Sequence, residues 1–221
     1  MRVTAVVVAA GLGKRFGSAK QFAALRGKPL VDWCLEAFEG HPDVSDMVLV
    51  LPAAEVHKDY GSIYPKLRAV VAGGRERQDS VGQGLDCVEP ESETHLVLVH
   101  DGVRPLVGPE LISRVIEAAR ESGAAVPGLP VEETLKEVSG GEVTRTLDRR
   151  SIVRVQTPQG FSCALLKAAL EAARDDGRYG TDESVLVERM GRAVRVVPGD
   201  PRNIKVTTPS DLRMAEALLE G

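Results

Sequence analysis

A chain of 221 residues with a net charge of −4 has room for one large α/β domain, and its near-neutral balance excludes a general affinity for nucleic acid or anionic membrane. Any anion must be met by local clusters of Lys and Arg. The three cysteines, Cys34, Cys87 and Cys163, are far apart and odd in number, which excludes a disulfide framework or a metal-ligand spacing and points to reduced, mostly packed thiols.

The first apolar run, Val3 to Ala9, is β-branched and empties directly into a glycine loop, so it reads as a strand rather than a leader segment. No apolar run approaches the ~20 residues of a membrane span, and the chain reads as cytoplasmic. Pro29 to Phe38 reads as a helix with Pro29 in its first turn. Met47–Leu51 and Leu67–Gly74 read as strands, Asp79–Cys87 as a helix and His95–Gly102 as a strand. In the helix that follows, Leu111, Ile112, Val115, Ile116 and Ala119 form one apolar stripe. A short strand, AAVPGLPV, comes next. Continuous apolar strands between helices predict a three-layer, mainly parallel, Rossmann-like sheet covered on both faces.

The pattern then changes. ETLKEVSGGEVTRTLDR alternates polar and apolar residues on both sides of Ser139-Gly140-Gly141, a hairpin signal. It is too polar for a core, so it reads as a projecting arm, at about 131–155 of a single domain spanning 1–221, which a second subunit would support. The α/β pattern resumes with QTPQGF, a helix from about Cys163 to Ala173 and the strand AVRVVPG. Thr208 reads as the N-cap of a last helix, with Pro209 at its first position and Asp211 bonding back toward the cap.

In open α/β sheets, ligands bind beyond the carboxyl ends of the strands. Four loops there are rich in chemistry: Ala9 to Lys20, Gly73 to Ser80, His100 to Pro105 and Arg202 to Pro209. Ala9, Ala10 and Gly11 let the backbone approach a ligand, and Gly13 lets successive N–H groups face an anion. Lys14, Arg15 and Lys20 add charge suited to a polyphosphate. Asp101 can accept from a sugar hydroxyl or approach a metal ion, Arg77 and Arg104 can fork onto phosphate, and Ser80 can read a base edge. The first loop is neither a Walker loop nor a dinucleotide fingerprint, whose third glycine is replaced by Phe16. That argues against a nicotinamide-dependent oxidoreductase. His41, His57, His95 and His100 show no ligand spacing and read as surface or strand-end residues. Glu132 and Glu133 read as strand neighbours pointing to opposite faces, without an acid/base role.

AAGLGKRFGSAKQF, GGRERQDSV, HDGVRP, TPQGF, GTDESVLVE and NIKVTTPSDL resemble, in order and spacing, the 2-C-methyl-D-erythritol 4-phosphate cytidylyltransferase family over essentially the whole chain. The first loop alone resembles sugar-nucleotide pyrophosphorylases more generally. The resemblance implies a nucleotidyltransferase fold of the glycosyltransferase-A type and a homodimer with a projecting arm. It implies CTP and Mg²⁺ as nucleotide and cofactor, with Mg²⁺ held mainly through the CTP phosphates. The implied reaction makes the cytidine diphosphate adduct of methylerythritol phosphate, in non-mevalonate isoprenoid synthesis, and releases pyrophosphate.

Position by position, the resemblance places Ala9, Ala10, Gly11 and Gly13 along the nucleotide. It places Gly73, Gly74 and Ser80 at cytosine with Arg77 on the same loop, and Asp101 by the ribose. Arg15, Lys20 and Lys205 surround the triphosphate as the catalytic cations. Arg104, Thr181 and Lys205 approach the methylerythritol phosphate, and Thr134 and Arg149 reach into the partner's site. Two departures stand out. Arg202 occupies a position where many members have Asp, leaving Asp200 as a substitute, and Gly102-Val103 stands where many have two alanines. A cytidylyltransferase for ribitol 5-phosphate would share the nucleotide half and differ around Thr134, Arg149 and Arg202. A non-catalytic nucleotide-binding module would not need both Lys20 and Lys205.

Overall fold

The structure, a computed structural model, describes the chain apart from Leu12, Lys14, Arg15, Ser18, Pro90, Glu91, Glu93 and Gly221. In chain order the elements are β1 (Val3–Val8), β2 (Ala24–Leu25), β3 (Lys28–Pro29), α1 (Leu30–Glu39), β4 (Asp46–Leu51), β5 (Leu67–Ala72), α2 (Arg77–Asp86), β6 (Leu96–Asp101) and α3 (Pro109–Ser122). There follow β7 (Ala124–Pro130), β8 (Lys136–Ser139), β9 (Glu142–Thr146), β10 (Val153–Val155), β11 (Gln159–Ser162), α4 (Cys163–Asp175), α5 (Glu183–Arg189), β12 (Arg195–Pro198) and α6 (Pro209–Glu220).

The central sheet runs β7–β11–β6–β1–β4–β5, with β10 and β12 also paired to β7. The pairs β1–β4, β1–β6, β4–β5 and β7–β12 are parallel, whereas β11 and β10 are antiparallel to their neighbours. The result is the mostly parallel α/β sheet that the apolar runs predict. Val3, Ala5 and Val7 pack on one face with Leu35 and Phe38 of α1 and Leu111 and Val115 of α3. Val6 faces the other way, with Val81 and Leu85 of α2 and Leu166 and Leu170 of α4. Alternate residues of β1 thus serve two buried faces, which is why its sequence is apolar throughout. The chain leaves β1 for β4 and β5, then returns to lay β6 on the other side of β1. That reversal opens a crevice at the carboxyl ends of β1 and β6.

The helix ends follow their cap chemistry. Gly123 closes α3 with φ +80°, and its N–H bonds Ala119 O. At α6, Asp211 Oδ2 accepts from Thr207 N and Thr208 N at 2.8 Å, and Thr208 Oγ1 accepts from Asp211 N at 3.3 Å. β8 and β9 form a separate two-stranded sheet turning at Gly140 and Gly141, with φ of +59° and +86°, and every residue of both strands is exposed.

Several sequence expectations are corrected. Pro29 precedes α1 as its N-cap residue and pairs with Ala24 rather than entering the first turn. Gln159–Ser162, read only as a motif, is a buried strand between β6 and β7, and Glu183–Arg189 is a helix. Glu132 and Glu133 lie outside any strand. His41, read as a surface or strand-end residue, is instead buried just past α1; His57 is exposed as read, and His95 and His100 stand at the two ends of β6 as read, though both are buried. His41 Nε2 pairs with Ser113 Oγ and His95 Nε2 with Thr4 Oγ1, each at 2.9 Å, so the cost of burying these rings is offset by hydrogen bonds. Of the cysteines, Cys34 and Cys163 are buried and Cys87 is exposed.

Candidate active site

The four loops meet in one cleft of about 480 Å³ at the carboxyl ends of β1, β5 and β6. Ala9, Ala10, Gly11 and Lys20 line it from the loop after β1. Gly73, Gly74, Arg77 and Ser80 come from the turn into α2, Asp101 and Val103 from the end of β6, and Lys205 from the segment before α6. The sheet ladder continues a residue into these loops: Ala9 N donates to Val50 O and Gly73 N to Leu51 O, both at 2.8 Å. Gly73 cannot carry a side chain here, because a Cβ would lie 2.2 Å from the Cβ of Ala10. Gly13, with φ +63°, does not line the cleft; its carbonyl accepts from Phe16 N and Gly17 N and turns the loop back.

The Gly73–Ser80 loop is closed by its own side chains. Glu76 and Asp79 form a reciprocal capping box at the start of α2. Ser80 Oγ accepts from Gly74 N and donates to Glu76 O, each at 3.1 Å, so the predicted base reader also holds its loop in shape.

Asp101 is the electrostatic centre. Oδ1 accepts from Arg77 Nε at 3.0 Å; Oδ2 accepts from Lys205 Nζ at 2.8 Å and lies 3.6 Å from Arg104 Nε. Burial pushes its carboxyl up, but Arg77, Lys205 and Arg104 together outweigh that and hold it well below the usual carboxylate range. Arg77 and Arg104, read from sequence as forks for phosphate, are turned onto protein groups. Arg77 Nη1 donates to Glu183 Oε1 at 2.6 Å, and Arg104 Nη1 to Asn203 O at 2.9 Å.

Behind Asp101, His100 is fully buried against Phe38, ring centroids 5.1 Å apart, with its nitrogens 3.2 Å from Thr157 Oγ1 and Arg104 O. Burial lowers its pKa to about 4, so the ring is neutral at pH 7. Cys34 Sγ donates to Arg104 O at 3.4 Å, and burial pushes its thiol pKa far up.

A second cleft of about 520 Å³ adjoins the first at Lys205, which lines both. Arg104, Arg154, Gln156, Asn203 and Pro201 also line it. Arg202 does not: its Nη2 donates to Leu218 O at 2.6 Å, and its N–H donates to Asp200 Oδ1 at 2.8 Å. Asp200 lines neither cleft. Thr134, Arg149 and Thr181 are exposed and line neither cleft of this chain; Arg149 Nη1 donates to Glu132 O. Arg15, read as a catalytic cation, and Lys14 beside it lie outside the described residues. Sequence reasoning missed Gln21, buried on the wall of the first cleft, and Glu183, whose partner Arg77 lies 106 positions away with no local signal linking the two.

The comparisons with known proteins agree with this geometry. A model of the 2-C-methyl-D-erythritol 4-phosphate cytidylyltransferase family matches residues 3–221. The chain is 44% identical to the enzyme of that name from Geotalea uraniireducens, over 100% of this chain and 98% of that protein. It is 45% identical to the one from Acidobacterium capsulatum, over 97% of this chain and 96% of that protein. Among solved structures, 2-C-methyl-D-erythritol 4-phosphate cytidylyltransferase from Thermus thermophilus superposes with a TM-score of 0.84 at 38% identity, covering 100% of both chains. The 4-diphosphocytidyl-2C-methyl-D-erythritol synthase of Anaerococcus prevotii gives 0.88 at 31% identity, covering 100% of this chain and 96% of that one. With the whole sheet, both clefts and the motif loops inside these matches, the chain belongs to the 2-C-methyl-D-erythritol 4-phosphate cytidylyltransferase family.

Proposed function

We infer that the protein joins CTP and 2-C-methyl-D-erythritol 4-phosphate to give 4-diphosphocytidyl-2-C-methyl-D-erythritol and pyrophosphate, a step of non-mevalonate isoprenoid precursor synthesis. The observation that carries this reading is Lys205. It lines both a glycine-walled cleft suited to a nucleotide and an adjoining cleft with Arg104 and Arg154 suited to a phosphorylated polyol. A cation at that junction lies where two phosphates must meet.

The nucleophile is an oxygen of the polyol phosphate, already an anion, so no general base is needed. It attacks the α-phosphorus in line, the bond to the bridging oxygen of the β-phosphate breaks, and pyrophosphate leaves. Catalysis is then positioning and charge neutralisation. Lys20 and Lys205 neutralise charge on the α-phosphate, and Arg15 adds to that field. Gly73, Gly74 and Ser80 face the cytosine, whose amine donates where uracil accepts. Asp101 serves the ribose.

Asp101, the carboxylate at the end of β6 in the cleft, already serves three cations, which suits an ion carried by the nucleotide rather than by this side chain. Mg²⁺ held through the triphosphate would neutralise its charge and orient it. In this reading residues 1–221 form one catalytic domain. The β8–β9 hairpin and its flanks, about 131–155, are a dimerisation arm bringing Thr134 and Arg149 to the partner's site; Thr181, exposed outside both clefts of this chain, is read with them as a contact of the bound polyol phosphate. The exposed Val138 and Val143, paired across the hairpin, support that role. The net charge of −4 supports reading neither nucleic acid nor an anionic membrane as a partner. Among the described residues no helix is long and apolar enough to cross a membrane. The enzyme works in the cytoplasm, where CTP is made.

The deciding experiment is pyrophosphate release from CTP and Mg²⁺ with methylerythritol phosphate, run beside ribitol 5-phosphate. Release with the first alone supports the reading. Release with ribitol phosphate alone keeps the chemistry and overturns the pathway. CTP binding without release favours a non-catalytic module.

A further inference from the structure

Glu183 opens α5 and is 1% exposed. Its Oε1 accepts from Arg77 Nη1 at 2.6 Å, while Oε2 is buried without a hydrogen-bond partner among the described residues. Desolvation pushes its carboxyl above the usual range in spite of Arg77. Burying a carboxylate is costly, and one ion pair with an unsatisfied second oxygen repays that less well than an apolar side chain of similar volume would. Beyond any stabilising effect at the start of α5, the pair fixes a geometry.

The geometry continues through Arg77. The guanidinium offers one edge, Nη1, to Glu183 and another, Nε, to Asp101 Oδ1 at 3.0 Å. Asp101 then offers Oδ2 to Lys205 Nζ at 2.8 Å. Glu183, Arg77, Asp101 and Lys205 form an unbroken chain from the buried start of α5 to the junction of the two clefts. We propose that Glu183 is a positioning residue for nucleotidyl transfer, acting through Arg77 to fix Asp101 and hence the place of Lys205. This rests on the cytidylyltransferase reading above.

Two consequences follow from charge and shape. A planar guanidinium held at two edges by carboxylates from different elements has one orientation; held at one edge, it can swing into the cleft toward a phosphate. Arg77, Arg104 and Lys205 carry three positive charges against the two negative charges of Asp101 and Glu183. Neutralising Glu183 leaves the cleft more positive, so ground-state affinity for a triphosphate is kept while the alignment of Lys205 with the α-phosphate is lost. Loss of an interaction that matters in the transition state lowers kcat without raising KM.

The test uses the full chain with CTP, Mg²⁺ and methylerythritol phosphate, with CTP binding measured by calorimetry on the same samples. Glu183→Gln should lower kcat about tenfold with no rise in KM for CTP. The double variant Arg77→Gln/Glu183→Gln should be no slower than Arg77→Gln alone, because both act on one contact. Unchanged kcat in Glu183→Gln, a raised KM at unchanged kcat, or losses that multiply in the double variant would overturn the proposal. Should Glu183→Gln fail to fold, Arg77→Lys keeps the charge but cannot hold both carboxylates in the fork. It should show the same kcat loss, and a wild-type kcat there would overturn the proposal. A wild-type protein that binds CTP and turns over beside an unaffected Glu183→Gln sinks this inference alone. A wild-type protein silent with both substrates sinks the functional reading and this inference with it.

Discussion

Lys205 Nζ lies 2.8 Å from Asp101 Oδ2, so a cation shared by two clefts is held in place by a carboxylate at the end of β6. Asp101 keeps Arg77 and Arg104 when Lys205 is removed, and the fold should survive that loss. Lys205→Ala, and separately Lys20→Ala, should lower kcat by on the order of 10²-fold or more with an unchanged melting temperature. Single-turnover pyrophosphate release measures this, and a near-wild-type rate removes that residue from the mechanism.

The glycine loop sets a second expectation. A Cβ at Gly73 would meet Ala10 at 2.2 Å and Ser80 Oγ at 2.8 Å, so Gly73→Ala must displace two walls of the first cleft. KM for CTP should rise by roughly tenfold or more, with a loss of stability of about 1–3 kcal/mol from overpacking. Titration with CTP and chemical denaturation check the two effects separately.

The same walls should select the base. If a backbone carbonyl of these walls faces the exocyclic amine of cytosine, UTP brings two acceptors together there, and kcat/KM should favour CTP by on the order of 10²-fold or more. Steady-state kinetics with both nucleotides decide it, and comparable values would remove Gly73, Gly74 and Ser80 from base recognition.

His100 gives a pH dependence with a definite sign. Its pKa is about 4 when folded, against 6.5 for a free histidine. Between those values the unfolded chain binds a proton that the folded chain refuses, so stability falls as pH drops from about 6.5 to 4 and is fully present above that window. The loss at the acid end is ~3 kcal/mol for this group. Denaturation midpoints across that range should fall steeply for wild type and less steeply for His100→Gln.

If Arg149 serves the partner's site, inactive variants should rescue one another. Arg149→Ala and Lys205→Ala homodimers each lack one component at both sites. A mixed dimer has one complete site, so random mixing should restore roughly a quarter of wild-type activity. No recovery after verified exchange of subunits would place Arg149 outside the partner's site.

The strands that could be read from sequence are those buried on two faces. Asp46–Leu51 and Leu96–Asp101 are fully buried, and their apolar runs leave little else for them to be. Gln159–Ser162 is buried too, but QGFS holds no β-branched residue, and its strand state comes from its neighbours. A Cβ at Gly160 would lie 2.8 Å from Val115 Cγ1, so this strand is set by contact with α3. The loops of the site were legible as loops, because small residues and cations after apolar runs have few other uses. Where each cation points was not. Arg77 and Arg104 looked alike as free forks, and only the fold brings Asp101, Glu183 and Asn203 to them across long stretches of chain.

Cys34 lies under this cluster with its thiol directed at the carbonyl of Arg104, and burial keeps it from ionising. Only the thiolate reacts with an alkylating reagent, so Cys34 stays silent until the backbone above it moves away. In a Cys87→Ser/Cys163→Ala variant, which leaves Cys34 as the one thiol, its labelling rate becomes a clock for how often the floor of the active site breathes. Bound nucleotide should slow that clock, giving a readout of occupancy that requires no turnover.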